Sequence, residues 1–308
     1  MGYLLALTSA MFFSLSEVCF RSGLKNREAL DKYTGLFLTI LINNINNMLA
    51  LGVLFLVKPV APPTGKGVAF FILAGMCTSF FGRMLLFFSI ERVGAARAAN
   101  MKITAPLFAL VVGVLFLKEI PSPAALMGIG IVLTGMFLIS RETNKSLGGA
   151  EENKQDSQET SPGYLTMGVF IGILAGLCFG VGSVLRKVGV GNYNEPIIGA
   201  SLGSFMALLL ITAVLIYKKN YPSYDVLAQK ELLKGYFLGG IFTSLAQYTL
   251  FYSLSFIPVA VASSFEAMGP LFILLISYLF LKGEEVITRK ITFISTAIVV
   301  GVLMIVLL

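Results

Sequence analysis

Histidine and tryptophan are absent from the 308-residue chain, and charged residues make up only 13% of it. Without histidine the chain cannot build a Ser-His-Asp or Cys-His catalytic arrangement, a histidine proton relay or a histidine metal site. The cysteines, Cys19, Cys77 and Cys178, lie in apolar runs without CxxC spacing, so they predict neither a disulfide framework nor a metal centre. A Gly-rich phosphate-binding loop is also missing. The sequence therefore predicts no enzyme, no cofactor and no bound metal.

Apolar residues, in contrast, make up 56% of the chain, and the mean hydropathy is +0.87. A soluble domain of this size usually carries charge on about a quarter of its residues. The solvent around this chain is therefore expected to be lipid. The net charge of +7 comes from Lys and Arg in short loops, which is typical of membrane proteins and does not indicate a nucleic-acid partner. We predict a multi-pass protein of the plasma (cytoplasmic or inner) membrane.

Ten apolar runs are long enough to span a bilayer. They are predicted near 2–24, 33–57, 67–90, 95–117, 122–140, 163–185, 195–217, 235–256, 258–281 and 288–308. Two boundaries are predicted to be tight turns, at Val93-Gly94 and at Ile257-Pro258. The polar segment 141–162 lacks apolar anchors and predicts a flexible linker. It divides the chain into a first five-helix repeat, 1–140, and a second one, 163–308.

The two halves repeat in sequence at a constant offset of 164 residues. Leu86-Phe87-Phe88-Ser89 aligns with Leu250-Phe251-Tyr252-Ser253, and Ala105-Pro106-Leu107-Phe108 aligns with Gly269-Pro270-Leu271-Phe272. Because five is odd, the second half must enter the membrane inverted. Inverted repeats around a midplane site are a recurring plan of secondary transporters. The predicted fold is thus an all-α membrane protein of ten helices in two inverted repeats, working by alternating access.

This plan, with the paired segments 115–118 and 279–282 that both read LFLK, resembles the EamA-type branch of the drug/metabolite transporter superfamily. The resemblance implies a ten-helix transporter; substrates in the superfamily include amino acids, nucleobases, sugars, drugs and lipid precursors. It also implies cytoplasmic termini. The loops after odd-numbered spans carry fifteen Lys and Arg residues against five on the other side, the latter being Lys58, Lys66, Lys118, Arg186 and Lys187. That bias predicts external termini, so the orientation stays open.

Ionisable residues inside predicted spans are functional candidates, because burying charge in a bilayer costs several kcal/mol. The offset of 164 relates Arg83 to Gln247 and Lys102 to Glu266. With a turn at Val93-Gly94, Arg83, Lys102 and Glu17 would share one layer at a depth of roughly 12 Å. Pro106 and Pro270 predict helix kinks, since each removes an amide four residues beyond Lys102 and Glu266. The predicted substrate-binding residues are Arg83, Lys102, Gln247, Glu266, Asn100 and Ser264, and the predicted proton-coupling residues are Glu17 and Glu266.

The leading functional hypothesis is a proton-coupled exporter of a small polar or zwitterionic metabolite such as an amino acid. Arg83 and Lys102 would hold the carboxylate, and Glu266 or Glu17 would hold the amine or the proton. An alternative is that these charges only pair structurally, with Lys102 locked to Glu266. The expected partners are the solute, protons or another coupling ion, and the lipid bilayer. A homodimer is compatible with the sequence but is not required by it.

Two other functions stay open. Ser16-Glu17-Val18, followed by Lys25, resembles the first span of small multidrug resistance transporters, which would make the protein a proton-coupled exporter of lipophilic cations. A lipid-precursor flippase or a non-transporting scaffold is the third candidate. The asparagines of span two predict interhelical hydrogen bonds, with cavity lining as the alternative, and the glycines of span six predict close helix packing. These residues are Asn43, Asn44, Asn46, Asn47, Gly172, Gly176 and Gly180.

Overall fold

The computed structural model describes residues 1–23, 32–155, 162–219, 230–280 and 289–307. Within these ranges the chain is helical and has no strand, which confirms the all-α class. Among the described residues, five helices are long and apolar enough to cross a membrane: 2–19, 33–57, 65–93, 166–192 and 196–218. Shorter apolar helices cover 105–117, 123–139, 259–273 and 293–307. The total of ten spans stays a prediction.

The helices of the first half are interrupted by two π-helical segments. They are α1 (Gly2–Gly23), α2 (Lys32–Val57), α3 (Gly65–Gly75), the first π-helical segment (Met76–Gly82), α4 (Arg83–Lys102), α5 (Ala105–Val112), the second π-helical segment (Gly113–Leu117) and α6 (Pro123–Gln155). Those of the second half are α7 (Pro162–Asn192), α8 (Pro196–Lys218), α9 (Lys230–Leu254), α10 (Val259–Glu266), α11 (Gly269–Phe280) and α12 (Arg289–Leu307).

The turn predicted at Val93-Gly94 is wrong, because α4 continues through it to Lys102. The residues after Gly94 are Ala-Ala-Arg-Ala-Ala, which all favour a helix, and one glycine weakens a helix without ending it. Arg83 and Lys102 therefore lie at opposite ends of one 20-residue helix. At 1.5 Å per residue they are roughly 28 Å apart along its axis, so the prediction that Lys102 shares a layer with Arg83 is also wrong.

The turn predicted at Ile257-Pro258 is confirmed, since α9 ends at Leu254 and α10 begins at Val259. Gly94 and Pro258 occupy equivalent positions, 164 residues apart. Proline lacks the amide hydrogen that would continue the helix and disfavours a helical conformation in the preceding residue. The same alignment position therefore ends a helix in one half and lies within a helix in the other.

Two helices extend further than the apolar runs indicated. Helix α6 continues to Gln155, so residues 141–155 of the predicted linker are helical, and 156–161 lie outside the described residues. Their Glu, Lys and Gln residues favour helix, so the extension is consistent with their propensity. Helix α7 ends at Asn192, seven residues beyond the predicted end of span six. Arg186 and Lys187, assigned from the sequence to a loop, therefore lie within a helix.

The breaks between α4 and α5 and between α10 and α11 repeat one backbone pattern. The Thr104 amide donates to the Met101 carbonyl at 3.1 Å, and the Met268 amide donates to the Phe265 carbonyl at 3.0 Å. The amides of residues 107 and 108 both donate to the carbonyl of residue 104, just as the amides of residues 271 and 272 donate to the carbonyl of residue 268. Pro106 and Pro270 lie in the first turn of the helix after each break, where a missing amide is tolerated.

The chain forms two compact units, and each combines parts of both sequence halves. Unit 1 contains residues 1–83 and 181–257, and unit 2 contains residues 84–180 and 258–308. The units differ from the sequence repeats because the continuous helical stretch 65–102 and helix α7 each contribute to both units. The boundaries of the five-helix repeats, drawn from the sequence, stay a prediction about internal homology.

In unit 2, the glycines of α7 lie against the break between α4 and α5. A Cβ atom added to Gly176 would overlap the Thr104 hydroxyl, and one added to Gly180 would come within 2.7 Å of the Ala105 carbonyl oxygen. Only a glycine face lets backbone approach so closely. In the same unit, Glu119 caps helix α10: its Oε2 accepts a hydrogen bond from the Val259 amide at 2.9 Å. A carboxylate at this end of a helix is stabilised by the helix dipole.

Candidate functional site

Unit 1 encloses a small polar pocket between the first π-helical segment and helices α3, α7, α8 and α9. Its volume is about 10 Å³, which is close to the space of one water molecule. Hydroxyl, amide and guanidinium groups line it together with two aromatic rings. The lining residues are Phe71, Gly75, Thr78, Ser79, Arg186, Gly199, Ala200, Gly203, Ser204, Gln247 and Phe251.

Arg186 is the charged residue of this pocket, and only 7% of its surface is exposed. Its Nη2 donates to the Thr78 hydroxyl at 2.7 Å, and the Thr78 hydroxyl in turn donates to the Ala74 carbonyl at 2.8 Å. The guanidinium carbon lies 5.3 Å from the centre of the Phe251 ring. A guanidinium over an aromatic face is attracted by the ring quadrupole. These contacts fix the orientation of a cation within a membrane-spanning helix.

The sequence around Arg186 explains why its side chain reaches the π-helical segment. Gly182 lies one turn earlier on α7, and a Cβ atom added there would overlap the Thr78 side chain. The two helices can therefore approach closely at this level. The π-helical segment supplies both Thr78 and Ser79. Segments of this kind are frequent at functional sites because they interrupt the regular helical bonding.

Glycines also bring the other walls of the pocket together. Gly75 of α3 faces Gly203 of α8 with backbone against backbone, and no side chain separates the two helices there. Phe71 fills the space beside Gly199 and packs on Phe251, with ring centroids 5.8 Å apart. The pocket is therefore closed by backbone contact on one side and by a buried aromatic cluster on another.

Interhelical hydrogen bonds were predicted for the span-two asparagines, and the structure has them for Asn43, Asn44 and Asn47. Asn43 donates to Ser244 of α9 at 3.0 Å, and Asn44 donates to Ser204 of α8 at 3.2 Å. Asn47 donates to Ser204 at 2.9 Å and accepts from the Tyr248 hydroxyl at 2.6 Å. Because Ser204 lines the pocket, this network ties α2 to both the α8 wall and the α9 wall.

Replacing Asn47 with leucine is expected to destabilise the protein by about 2 kcal/mol, since three interhelical bonds at about 0.6 kcal/mol each are lost. Those bonds join Asn47 to Tyr248, Ser204 and the Ala200 carbonyl. Asn46 on the same helix is a matched control, because its buried Nδ2 has no partner among the described residues. Asn46→Leu should leave the thermal unfolding midpoint unchanged or raised. Equal midpoints for the two variants would contradict this role of Asn47.

Two of the predicted charges also lie in unit 1. Glu17 is half-buried on α1, and Arg83 is half-buried at the start of α4. Arg83 is within electrostatic range of both Glu17 and Arg186. These three side chains bring two positive charges and one negative charge into the unit that contains the pocket. Gln247, the repeat equivalent of Arg83, is 3% exposed and lines the pocket itself.

The other predicted residues belong to unit 2. Lys102 is exposed at the end of α4, and its Nζ lies 5.3 Å from the centre of the Phe179 ring. Glu266 is half-buried at the end of α10, and Ser264 on the same helix is buried and donates to the Ala260 carbonyl at 2.7 Å. The side chain of Asn100 lies outside the described residues. The roles assigned to these four residues stay predictions.

Two other lysines of unit 1 have partners outside the pocket. The Lys187 Nζ donates to the Leu254 and Ile257 carbonyls at 2.5 and 2.9 Å, which satisfies the C-terminal end of α9. Beyond α2, Lys58 forms an ion pair of 2.9 Å with Glu195. The hydrogen bond that Lys58 donates to Glu195 raises the pKa of Lys58 above its ordinary value. Neither lysine lines the pocket.

Arg186 is the functional candidate that sequence reasoning missed. Two adjacent charges, Arg186 and Lys187, resembled the start of a loop. The helical signal was nevertheless present, because Val188, Gly189 and Val190 continue the apolar run. The spacing of Gly182, Arg186 and Gly189 at i, i+4 and i+7 also puts them on one helix face. A charge flanked by glycines on one face indicates a packed position rather than a loop.

Comparison with known proteins agrees with the resemblance seen in the sequence. Residues 1–141 and 166–307 match the profile of the EamA-like transporter family. The chain is similar to an "Uncharacterized transporter" of Helicobacter pylori (strain ATCC 700392 / 26695), with 31% identity over 143 residues. That match spans 46% of this chain and 45% of the relative, less than half the length of each. A solved structure described as "Crystal structure of protein" has the same fold, with a TM-score of 0.74 at 17% identity, and the match covers 99% of this chain and 97% of that one.

Proposed function

The chain belongs to the EamA-like transporter family, and from that premise we propose that it is a secondary active transporter of a small polar metabolite that carries a carboxylate. Zwitterions such as amino acids belong to this class. The solute would bind in the pocket of unit 1, and alternating access of the inverted repeats would expose the pocket to each side of the membrane in turn. Family membership supports transport, and the chemistry of the pocket supports the solute class.

The buried guanidinium of Arg186 is the observation that carries the proposal. Arginine presents a planar fork of donors that matches both oxygens of a carboxylate. Thr78 and Phe251 already orient this fork at the pocket wall. Arg83 is within electrostatic range of both Arg186 and Glu17, so a second cation lies near Arg186. The carboxylate of a solute would place its negative charge beside these two cations.

The size and polarity of the pocket support a compact solute. Hydroxyls of Thr78, Ser79 and Ser204 offer hydrogen bonds, while Phe71 and Phe251 offer apolar surface. At about 10 Å³ the pocket holds little more than one water molecule, so an amino acid enters only if the walls separate. Such a change of pocket volume is what alternating access requires.

Proton coupling is part of the same proposal. Glu17 is a half-buried carboxylate on a membrane-spanning helix, a position where ionisable groups often serve in proton relays. Glu266 is the second candidate. It lies at the end of α10, where the helix dipole disfavours a negative charge by about 0.3–1 kcal/mol. A carboxylate kept in an unfavourable position is typical of functional sites.

The competing functions have less support. A lipophilic cation would be repelled by Arg186 and Arg83, so the Glu17 motif alone does not favour cation export. A flippase needs a lateral groove that accepts a headgroup as well as an acyl chain. The groove of about 480 Å³ between α6 and α12 in unit 2 is lined by apolar side chains and one threonine. Its lining residues carry no charge that would bind a headgroup.

The proposal is tested by ligand-dependent thermal unfolding of the purified full-length protein in detergent. We expect stabilisation by L-alanine and related small amino acids, because a ligand that binds the folded state raises its unfolding temperature. Arg186→Gln should weaken binding by about tenfold to a hundredfold, since a hydrogen bond to a charged group contributes about 1.5–3 kcal/mol.

Lys66→Gln is the matched control, because it removes the same charge from an exposed position of unit 1 and should leave binding unchanged. Arg186→Lys keeps the charge but loses the planar set of guanidinium donors, so its affinity should lie between those of the unmodified protein and Arg186→Gln. The proposal is wrong if folded Arg186→Gln is stabilised by the same solutes as strongly as the unmodified protein.

A further inference from the structure

One polar atom of the pocket has no hydrogen-bond partner among the described residues. The described residues include three buried side-chain polar atoms without a hydrogen-bond partner: Asn46 Nδ2, Gln247 Oε1 and Ser263 Oγ. Of these, only the Gln247 oxygen belongs to a residue that lines the pocket of unit 1. Buried acceptors are nearly always paired in folded proteins, so one that has no partner among the described residues calls for an explanation, such as a bound solute.

The position of Gln247 limits what that partner can be. The amide oxygen is an acceptor, so the missing group must be an N–H or O–H donor. Gln247 and Phe251 are four residues apart on α9, which places their Cβ atoms about 5–6 Å apart on one helix face. Because Arg186 lies over the Phe251 ring, the guanidinium and the unpaired amide oxygen lie on the same side of α9. One compact molecule can therefore reach both groups.

We propose that Gln247 is a specificity-determining residue whose Oε1 accepts a hydrogen bond from an ammonium group on the solute, while Arg186 holds the carboxylate. This inference rests on the proposed function and adds to it which solutes of the class should bind most tightly. Because both residues line a pocket of only about 10 Å³, the site favours solutes with the two groups on the same carbon or on adjacent carbons. Longer ω-amino acids, in which the groups are further apart, and simple carboxylates, which have no donor, should bind more weakly.

A resident water molecule is the competing explanation. The pocket volume of about 10 Å³ is enough for one water, which could donate to the Gln247 oxygen without any solute. In that case the solute would not contact Gln247, and the ammonium group would bring no advantage in binding. The two explanations therefore differ in the ligand preference of the unmodified protein.

The experiment compares the binding of three probes to the full-length protein in detergent by calorimetry. L-Alanine has both groups on one carbon, propanoate lacks the donor, and 4-aminobutanoate separates the groups. We expect the unmodified protein to bind L-alanine at least about tenfold more tightly than either of the others, since a buried group left unpaired by an analogue penalises it. Gln247→Met, of similar length but without the acceptor, should remove this preference and retain binding of propanoate.

Two further variants distinguish loss of the Gln247 acceptor from general damage to α9 and from misfolding. Thr249→Val is the matched variant on the same helix, because its hydroxyl bonds only to the backbone of α9, and it should keep the preference for L-alanine. If Gln247→Met does not fold, Gln247→Glu serves instead: it keeps an acceptor and should bind L-alanine while losing propanoate through charge repulsion.

Equal affinities for L-alanine and propanoate in the unmodified protein would overturn the role of Gln247 but leave the carboxylate proposal standing. If no probe binds, or binding is independent of Arg186, the proposed function itself fails.

Discussion

Replacing Gly75 with alanine is expected to destabilise the protein more than any other substitution considered for unit 1. A Cβ atom at this position would lie closer than 3.0 Å to the Cα, carbonyl carbon and carbonyl oxygen of Gly203. These are backbone atoms, so no change of rotamer relieves the overlap and α3 must move away from α8. We expect a loss of about 3 kcal/mol, at the upper end of the range for overpacked interiors.

A graded series measures this effect. A Cβ atom on Gly203 would lie 3.1 Å from the Gly75 Cα, so Gly203→Ala should cost less than Gly75→Ala. Gly52 on α2 has no atom within 4 Å of the added carbon, and Gly52→Ala should stabilise the helix by about 0.5–1 kcal/mol. The thermal unfolding temperatures of the three variants, measured in one detergent, give the order of their stabilities. If Gly75→Ala unfolds at the same temperature as Gly52→Ala, the backbone contact between α3 and α8 is absent.

The second large effect is expected for Glu17→Gln, which should abolish proton-driven uphill transport while solute exchange continues. The amide has the shape of the carboxylic acid but cannot bind and release a proton, so a pH gradient can no longer drive the cycle. The substitution also removes the negative charge near Arg83. Because Gln247 and Arg186 are unchanged, the solute should still bind.

The measurement uses proteoliposomes with labelled L-alanine added to the outside. Uptake driven by an imposed pH gradient reports coupling, and exchange between equal concentrations on the two sides reports binding and reorientation. Glu91→Gln is the matched control, since Glu91 is exposed on α4. Gradient-driven transport that persists in Glu17→Gln would assign the proton to another residue. Loss of both exchange and gradient-driven uptake would show that Glu17 stabilises the folded structure instead of carrying the proton.

The membrane-spanning fold was predictable because it depends on composition and on long apolar runs. Breaks within helices were harder to predict. Gly94 and Pro258 occupy equivalent positions, yet only the proline ends a helix. The difference follows from the missing amide of proline, whereas glycine costs a helix only about 1 kcal/mol. Treating both positions as turns led to the wrong depth for Lys102.

The pocket was less predictable than the fold, for two reasons. Gln247 was identified through the repeat, but its neighbours come from four separate stretches of chain whose proximity is fixed by tertiary packing. Arg186 was missed because neighbouring charges were taken to mark a helix end. The close glycine contacts that bring Thr78 to Arg186 depend on the crossing of two helices, and no local sequence pattern specifies where they cross.

The two helix breaks share a main-chain hydrogen-bond pattern but carry different side chains. The donors and acceptors are all main-chain groups, and they are carried by Met101 and Thr104 in one copy but by Phe265 and Met268 in the other. The side chains at the two breaks can therefore differ while the backbone pattern stays the same. One helix ends in Lys102 and the other in Glu266, so the same main-chain pattern carries opposite charges at its two occurrences.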